Sequence, residues 1–392
     1  MKVLHVVVEN NIGGIQNRIL RIAGHLKDRG VESVILAPST PGTFSNAAKD
    51  QGIPVFFAAI QSPNLNNSLS NMVRNMFWLL TFPVGVFQTI RIIRQEKIQI
   101  IHANGLLSLH AVAAGILLNR QVCWDLISTL YPPFLVTLLR PLFSHPAVLP
   151  VLITRFTNEY YFGSKKDTLK YRIIYEPVDV QHFQRSAELT EQGREFLKSF
   201  PVGESAKIIT FIGNINPQKG LEYFIRTVPE IQKGYHGTVK FFIVGKPVRG
   251  NEYYLAKIQK LTAEMKLEND IFFTGPIDDL RPILSGTDIF FMTSIAEGTP
   301  LVILEAMAME VPVISTGVGG IPDQVADGVT GIVIPPENRA LAADPVLHLL
   351  GHPEIGAAMG KEGRKRVQEH FSLERCVDEH YKLYTGLLPD AR

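Results

Sequence analysis

Apolar residues come in short runs along this chain, and the segments between them place their apolar positions at helical spacing. Residues 3–8, VLHVVV, read as a buried strand. The segment GGIQNRILRIAGHLKDRG follows, with Ile15, Ile19, Ile22 and Leu26 on one helical face and Gly30 as its stop. Runs at 31–37, 53–58 and 98–103 predict three more strands. The alternation restarts in the second half. Strands are predicted at 207–213, 239–245, 270–275, 288–294, 311–316 and 331–335, and helices at 220–232 and 253–267. Strand–helix alternation of this kind gives parallel sheets with right-handed crossovers. The two halves are separated by a polar stretch between about 178 and 206. The pattern predicts an α/β chain of two Rossmann-like, doubly wound parallel-sheet domains facing a cleft. We place them at 1–182 and 183–371, with a terminal amphipathic helix within 372–392.

Length and composition agree with two globular domains. The chain has 392 residues, 46% of them apolar and 19% charged, which excludes a disordered chain. A net charge of +2 argues against a dedicated nucleic-acid binder, which carries a strongly basic stripe. Cys123 and Cys376 are isolated from each other and fit neither a disulfide framework nor a zinc site. The start, MKVLHVVVEN, has no secretory pattern, so a cytoplasmic setting is expected. The apolar stretch at 76–87 is shorter than the roughly 20 residues of a spanning helix, and Pro83 interrupts it. It reads either as a buried helix–turn–helix or as an interfacial element on the cytoplasmic face of a membrane, flanked by Arg74, Arg91 and Arg94.

The chemistry concentrates in residues 296–325, AEGTPLVILEAMAMEVPVISTGVGGIPDQV. Thr299 suits a helix N-cap and Pro300 the first helical position. The helix beyond is apolar on every face, so burial is expected, and Glu305 then needs donors. Those donors are either a basic side chain in the core or a ligand diol such as a ribose. Glu297 stands just before the helix, where the free backbone N–H groups of residues 298–302 attract anions. Gly317, Gly319 and Gly320 permit close backbone approach. One strand earlier, FIGNINPQKGL sets Gly213 at a strand end and Lys219 at a helix start, where a lysine reaches a diphosphate as a point charge.

These segments, with NNIGGIQ near the start, resemble the donor-site signature of retaining family 4 glycosyltransferases of the GT-B fold, the glycogen-synthase-like and capsular "group 1" type. The resemblance covers nearly the whole chain. It implies that Glu305 holds the nucleotide ribose, Glu297 contacts donor-sugar hydroxyls and Lys219 pairs with the diphosphate. It implies that Gly298, Thr299, Pro300 and Leu301 present backbone to phosphate and sugar. Gly213 and Asn214 lie in the phosphate loop, and Gly13 and Gly14 lie against the donor phosphates. Catalytic roles fall on Glu297, Lys219 and Asp125. The terminal helix is expected to cross back to the first domain. No cofactor and no metal are expected, since lysine and helix N-termini neutralise the leaving diphosphate. The implied partners are a nucleotide sugar and a glycan or lipid-linked glycan acceptor, with peripheral contact to an anionic membrane and no nucleic acid.

Three positions depart from the family pattern. Asn214 stands where the family has an arginine, with Lys246 or Arg249 as replacement cations. Asp125, Ser128 and Tyr131 occupy the region of an expected histidine, and Glu176–Pro177 replaces an Asn-Gly turn. Asn214 and the missing histidine motivate one alternative, a non-catalytic nucleotide-sugar-binding partner subunit; a second is a GT-B nucleotide-sugar epimerase. A nicotinamide oxidoreductase is disfavoured, because IGGIQNR lacks the spaced glycines of a dinucleotide fingerprint.

Overall fold

The computed structural model describes residues 1–40, 42–61, 63, 69–129, 131–163, 169–248 and 250–388. The chain divides into two units, one of Met1–Pro177 with Leu373–Arg392 and the other of Val178–Ser372.

In the first unit the elements run β1 (Lys2–Val6), α1 (Gly14–Asp28), β2 (Glu32–Pro38), α2 (Thr43–Asp50), β3 (Val55–Ala58), α3 (Leu69–Gln95) and β4 (Ile100–Asn104). They continue with α4 (Leu109–Leu117), β5 (Gln121–Leu126), α5 (Pro133–Phe143), β6 (Val148–Leu152), α6 (Arg155–Phe162) and β7 (Arg172–Ile173). The strands form one parallel seven-stranded sheet, ordered β3-β2-β1-β4-β5-β6-β7. Period-2 alternation sorts the side chains between its faces. Leu4, Ile101, Val122 and Trp124 join one buried cluster with residues of α3, α4 and α5. Val3, Ile100 and Cys123 join another with Ile22 and Leu26 of α1.

The second unit runs α7 (Ala187–Lys198), β8 (Lys207–Ile212), α8 (Leu221–Gly234), β9 (Val239–Val244), α9 (Glu252–Glu264), β10 (Ile271–Gly275), α10 (Arg281–Ser285) and β11 (Ile289–Met292). Then come α11 (Leu301–Ala308), β12 (Val313–Thr316), α12 (Ile321–Gln324), β13 (Gly331–Ile334), α13 (Ala343–Gly351) and α14 (Pro353–His370). Its parallel six-stranded sheet is ordered β10-β9-β8-β11-β12-β13. Phe224 of α8 is buried against Phe211, Phe241 and Phe291 of three strands, with ring centroids 5.2–6.1 Å apart. The last helix, α15 (Leu373–Leu387), belongs to the first unit, where Cys376, Val377, Leu383 and Tyr384 pack in the cluster of Val3 and Ile22.

Two local expectations are corrected. Residues 76–87 form no helix–turn–helix: α3 continues through Pro83. Proline removes the hydrogen bond to the carbonyl four residues earlier. That residue, Leu79, is 64% exposed, so the helix face at this turn is turned outward. Among the described residues no helix is long and apolar enough to cross a membrane. The helix after Glu297 also starts one residue later than expected. Pro300, not Thr299, is its N-cap residue, and the cap makes no side-chain hydrogen bond.

Candidate active site

In the second unit, β8 and β11 are neighbours, and the helices that follow them lead towards opposite ends of the sheet. Such a switch point opens a crevice at the carboxyl ends of the strands. The loop after β8 ends in a short 3-10 turn, Pro217–Lys219, and the loop after β11 carries Glu297. Backbone bonds tie them together: the Gln218 carbonyl accepts from the N–H of Ile295 at 2.7 Å and of Ala296 at 3.3 Å. The Thr293 hydroxyl donates to the Gly220 carbonyl at 2.9 Å. Gly220 has φ +62°, and a Cβ there would sit 2.2 Å from the Thr293 carbonyl oxygen, so only glycine fits. The loop after β12 is fastened alike. The Gly320 N–H donates to the Gly298 carbonyl at 2.7 Å, and a Cβ on Gly319 would lie 2.0 Å from the Glu297 carbonyl oxygen.

This frame brings Lys219 and Glu297 together. Lys219 Nζ donates to Glu297 Oε1 at 2.7 Å, with the side chains only 16% and 8% exposed. The Ser294 hydroxyl donates to the same Oε1 at 2.6 Å. Ser294 is fully buried, and its carbonyl accepts from the Thr316 hydroxyl at 2.5 Å. Glu305 is half-buried in the second turn of α11, while Ile303, Leu304, Ala306, Met307 and Ala308 around it are buried. Gly298 and Thr299 lie in the loop, and Pro300 and Leu301 at the head of α11. Asn214 is exposed just beyond Gly213, and Lys246 is exposed on the next loop, its carbonyl accepting from the Ile215 N–H at 2.9 Å. Arg249 lies outside the described residues. Two polar atoms here, Asn216 Oδ1 and Thr299 Oγ1, are buried with no partner among the described residues. Buried polar atoms are usually satisfied, so these two fit a site that takes a polar ligand.

The first unit holds Gly13 as the N-cap residue and Gly14 as the first residue of α1, after β1. A Cβ on Gly14 would meet no atom within 4 Å, so nothing inside this unit demands glycine there.

Asp125 is corrected. It is fully buried in β5, and both carboxylate oxygens are taken. His102 Nε2 donates to Oδ1 at 2.8 Å, and Arg18 Nη2 donates to Oδ2. A carboxylate so enclosed reaches no substrate atom; it anchors Arg18 and His102 instead. Burial alone would raise its pKa, but Arg18 and His102 overcome this and hold it well below the carboxylate range. Arg18 Nη1 also donates to Glu176 Oε1 at 3.1 Å, so the departure at Glu176 supplies a second acceptor for one buried guanidinium. Glu176 has its pKa raised, by burial first and by Asp125, against the pull of Arg18. His102 Nδ1 and the Tyr384 hydroxyl of α15 share a hydrogen bond of 2.6 Å. The rings of His5, His102 and His380 stack with centroids 5.3 and 5.8 Å apart. Sequence reasoning missed this network. Its signal was Arg18, three residues after Ile15 on the apolar face of α1.

The network predicts acid sensitivity. Burial lowers His5 well below 6.5 and His380 to about 3. Above pH 6.5 both are neutral, folded or unfolded, and the full stability is present. As pH falls below 6.5 the unfolded chain takes up protons that the fold refuses, so stability drops by roughly 1.4 kcal/mol per pH unit per histidine. Below about pH 4 the lowered pKa of Asp125 adds to the loss in the same direction. Urea unfolding at pH 7 and pH 5 should show the drop, and His380→Phe should reduce it; an equal drop in that variant would assign it to other groups.

Comparison with known proteins fits the two-unit architecture. Residues 206–352 match the profile of "Glycosyl transferases group 1", and residues 12–126 that of "Glycosyltransferase Family 4". The chain belongs to the family 4, group 1 glycosyltransferases. The family's relatives include N-acetyl-alpha-D-glucosaminyl L-malate synthase of Bacillus anthracis, 30% identical over 234 residues, which are 60% of this chain and 57% of that protein. The GDP-mannose-dependent alpha-(1-6)-phosphatidylinositol monomannoside mannosyltransferase of Mycolicibacterium smegmatis is 25% identical over 265 residues, 65% of this chain and 64% of that one. The chain spans about half the length of the curated relatives it matches. Among solved structures, HepE of Anabaena in complex with UDP aligns with a TM-score of 0.82 at 18% identity, over 98% of this chain and 100% of that one. That likeness gives the fold of this family member as GT-B, two Rossmann-like domains.

Proposed function

We propose that the chain is a retaining, metal-independent hexosyltransferase, moving a sugar from a nucleotide diphosphate donor to a glycan or lipid-linked glycan in surface polysaccharide or glycoconjugate synthesis. The observation that carries this reading is Lys219 paired with Glu297 on two bonded loops at the switch point of the second sheet. Lys219 and the N-terminus of α11 stabilise the departing diphosphate electrostatically. Glu297 accepts from donor-sugar hydroxyls, and Glu305 accepts from the ribose. Gly298, Thr299, Pro300 and Leu301 offer backbone to the donor, and Gly213 and Asn214 line the phosphate loop. Family membership supports a nucleotide sugar, and the HepE crystals that hold UDP and UDP-glucose make uridine diphosphate sugars the first to try.

A panel of UDP- and GDP-sugars, assayed for nucleoside diphosphate release with and without EDTA, tests the reading. Activity is expected to persist in EDTA, with the anomeric configuration of the donor kept in the product. An inverted product overturns the retaining assignment. Glu305→Ala is expected to weaken binding of the free nucleoside diphosphate roughly ten- to hundredfold, the loss of charge-assisted hydrogen bonds. Unchanged binding by calorimetry would remove the ribose role.

The lipid-linked acceptor rests on a surface of the first unit. Met76, Leu79, Leu80 and Phe87 of α3 and Phe134 and Leu138 of α5 are 60–71% exposed. Arg91 and Arg94 are exposed beyond them on α3. The Arg74 side chain lies outside the described residues, and Arg140 is turned inward, its Nε donating to the Tyr161 carbonyl at 3.0 Å. Apolar side chains beside cations fit an anionic bilayer surface, where each cation contributes about 1 kcal/mol. One relative is named for L-malate and another for a phosphatidylinositol mannoside, so family membership alone leaves the acceptor open. Flotation with phosphatidylserine-containing liposomes should show salt-sensitive binding that falls with Arg91→Glu and Arg94→Glu together. No association at low salt would favour a water-soluble acceptor.

A further inference from the structure

Glu297 Oε1 accepts two hydrogen bonds of different kinds. Lys219 Nζ approaches from a side chain that is 16% exposed. Ser294, fully buried two residues beyond β11, approaches from the inner side, where the Thr316 hydroxyl fixes its carbonyl. Glu297 Oε2 has no partner among the described residues. The free site is therefore internally neutral, with the cation meant for a diphosphate already held by a carboxylate. An incoming diphosphate competes with Glu297 for Lys219. Once the lysine turns to phosphate, Glu297 stands near a like charge, and repulsion drives it away unless another donor holds it. The Ser294 hydroxyl is that donor. It lies on the inner side of the carboxylate, in a frame closed by the bonds of Gln218, Thr293 and Thr316. Held there, Oε2 and the lone pair vacated by Lys219 face whatever replaces the lysine.

We propose that Ser294 is a positioning residue that keeps Glu297 in place while Lys219 passes from that carboxylate to the diphosphate of the donor. The proposal rests on the donor-site reading above and adds an exchange of partners to it. The pair of Lys219 and Glu297 is a closed resting state, and Ser294 ensures that opening it moves only the lysine.

Calorimetry with UDP and with GDP, on wild type, Glu297→Gln, Ser294→Ala and Ser294→Thr, tests the exchange without relying on turnover. Glu297→Gln removes the competitor for Lys219, so the nucleoside diphosphate that binds wild type should bind this variant roughly threefold or more tightly. Ser294→Ala should bind it within about twofold of wild type, yet lose roughly tenfold in kcat with the nucleotide sugar found in the panel, the loss of one hydrogen bond to a charged group. Ser294→Thr keeps the hydroxyl and should regain most of that kcat. A merely structural Ser294 would lower nucleotide affinity and kcat together in the alanine variant. That result, or an unchanged kcat, overturns the positioning role. Binding to Glu297→Gln that is no tighter than to wild type overturns the exchange, whatever the fold of the threonine variant. Failure of wild type to bind either nucleotide is a different result: it removes the donor-site reading, and this proposal with it.

Discussion

Lys219→Ala is expected to reduce turnover by roughly a hundred- to a thousandfold, the scale of losing one preorganised electrostatic contact to developing charge. The effect should be large in this chain because Asn214 occupies the place where the family resemblance calls for a second cation. The fold should survive the change: Glu297 keeps its bond from Ser294, and the loops keep their backbone bonds to Gln218. Asn214 is exposed, so Asn214→Arg adds a charge without crowding the core and should preserve or raise donor affinity. Steady-state kinetics on the alanine variant and calorimetry on the arginine variant check both. Turnover within tenfold of wild type in Lys219→Ala would show that another group neutralises the leaving diphosphate. A fall in affinity on adding the arginine would show a phosphate loop built around a neutral residue.

The second large effect is on stability. Arg18→Met keeps most of the side-chain volume but leaves Asp125 buried and ionised without its cation. Breaking one side of a buried ion pair costs about 3–5 kcal/mol. The first unit should then unfold at clearly lower urea, and its own signal can follow it: both tryptophans, Trp78 and Trp124, lie in that unit. Trp124 is fully buried and precedes Asp125 in β5. Adding Asp125→Asn and Glu176→Gln to Arg18→Met removes the stranded acids and should recover part of the loss. If Arg18→Met unfolds with the wild-type midpoint, the buried acids do not depend on the guanidinium. If the triple variant is no better than the single one, the cost lies in packing and not in charge.

The sequence by itself placed strands β1–β4 and β8–β13, because the periodicities are local and need only neighbouring residues and the turn residues that end each run; β5, β6 and β7 were not predicted. It also placed Lys219 just after β8 and Glu297 just after β11, since a strand end is visible where an apolar run stops. The family resemblance rested on the same short-range information, the spacing of Glu297, Glu305 and the glycines. What it left open was which distant residues meet. Lys219 and Glu297 are 78 positions apart, and Arg18 and Asp125 are 107 apart. Those meetings depend on β11 lying beside β8 and on the order of strands in the first sheet, which no local pattern encodes. Asp125 therefore looked like a catalytic residue in the region of the expected histidine, and only packing revealed that Arg18 and His102 consume both of its oxygens. Pro83 looked like a break, and only the structure showed that α3 continues through it. Ser294 carried no signal at all, because a strand-end serine matters only when the carboxylate three residues on turns back to meet its hydroxyl. The frame that makes it do so comes from the Gln218 carbonyl in the turn after β8 and the Thr316 hydroxyl at the end of β12.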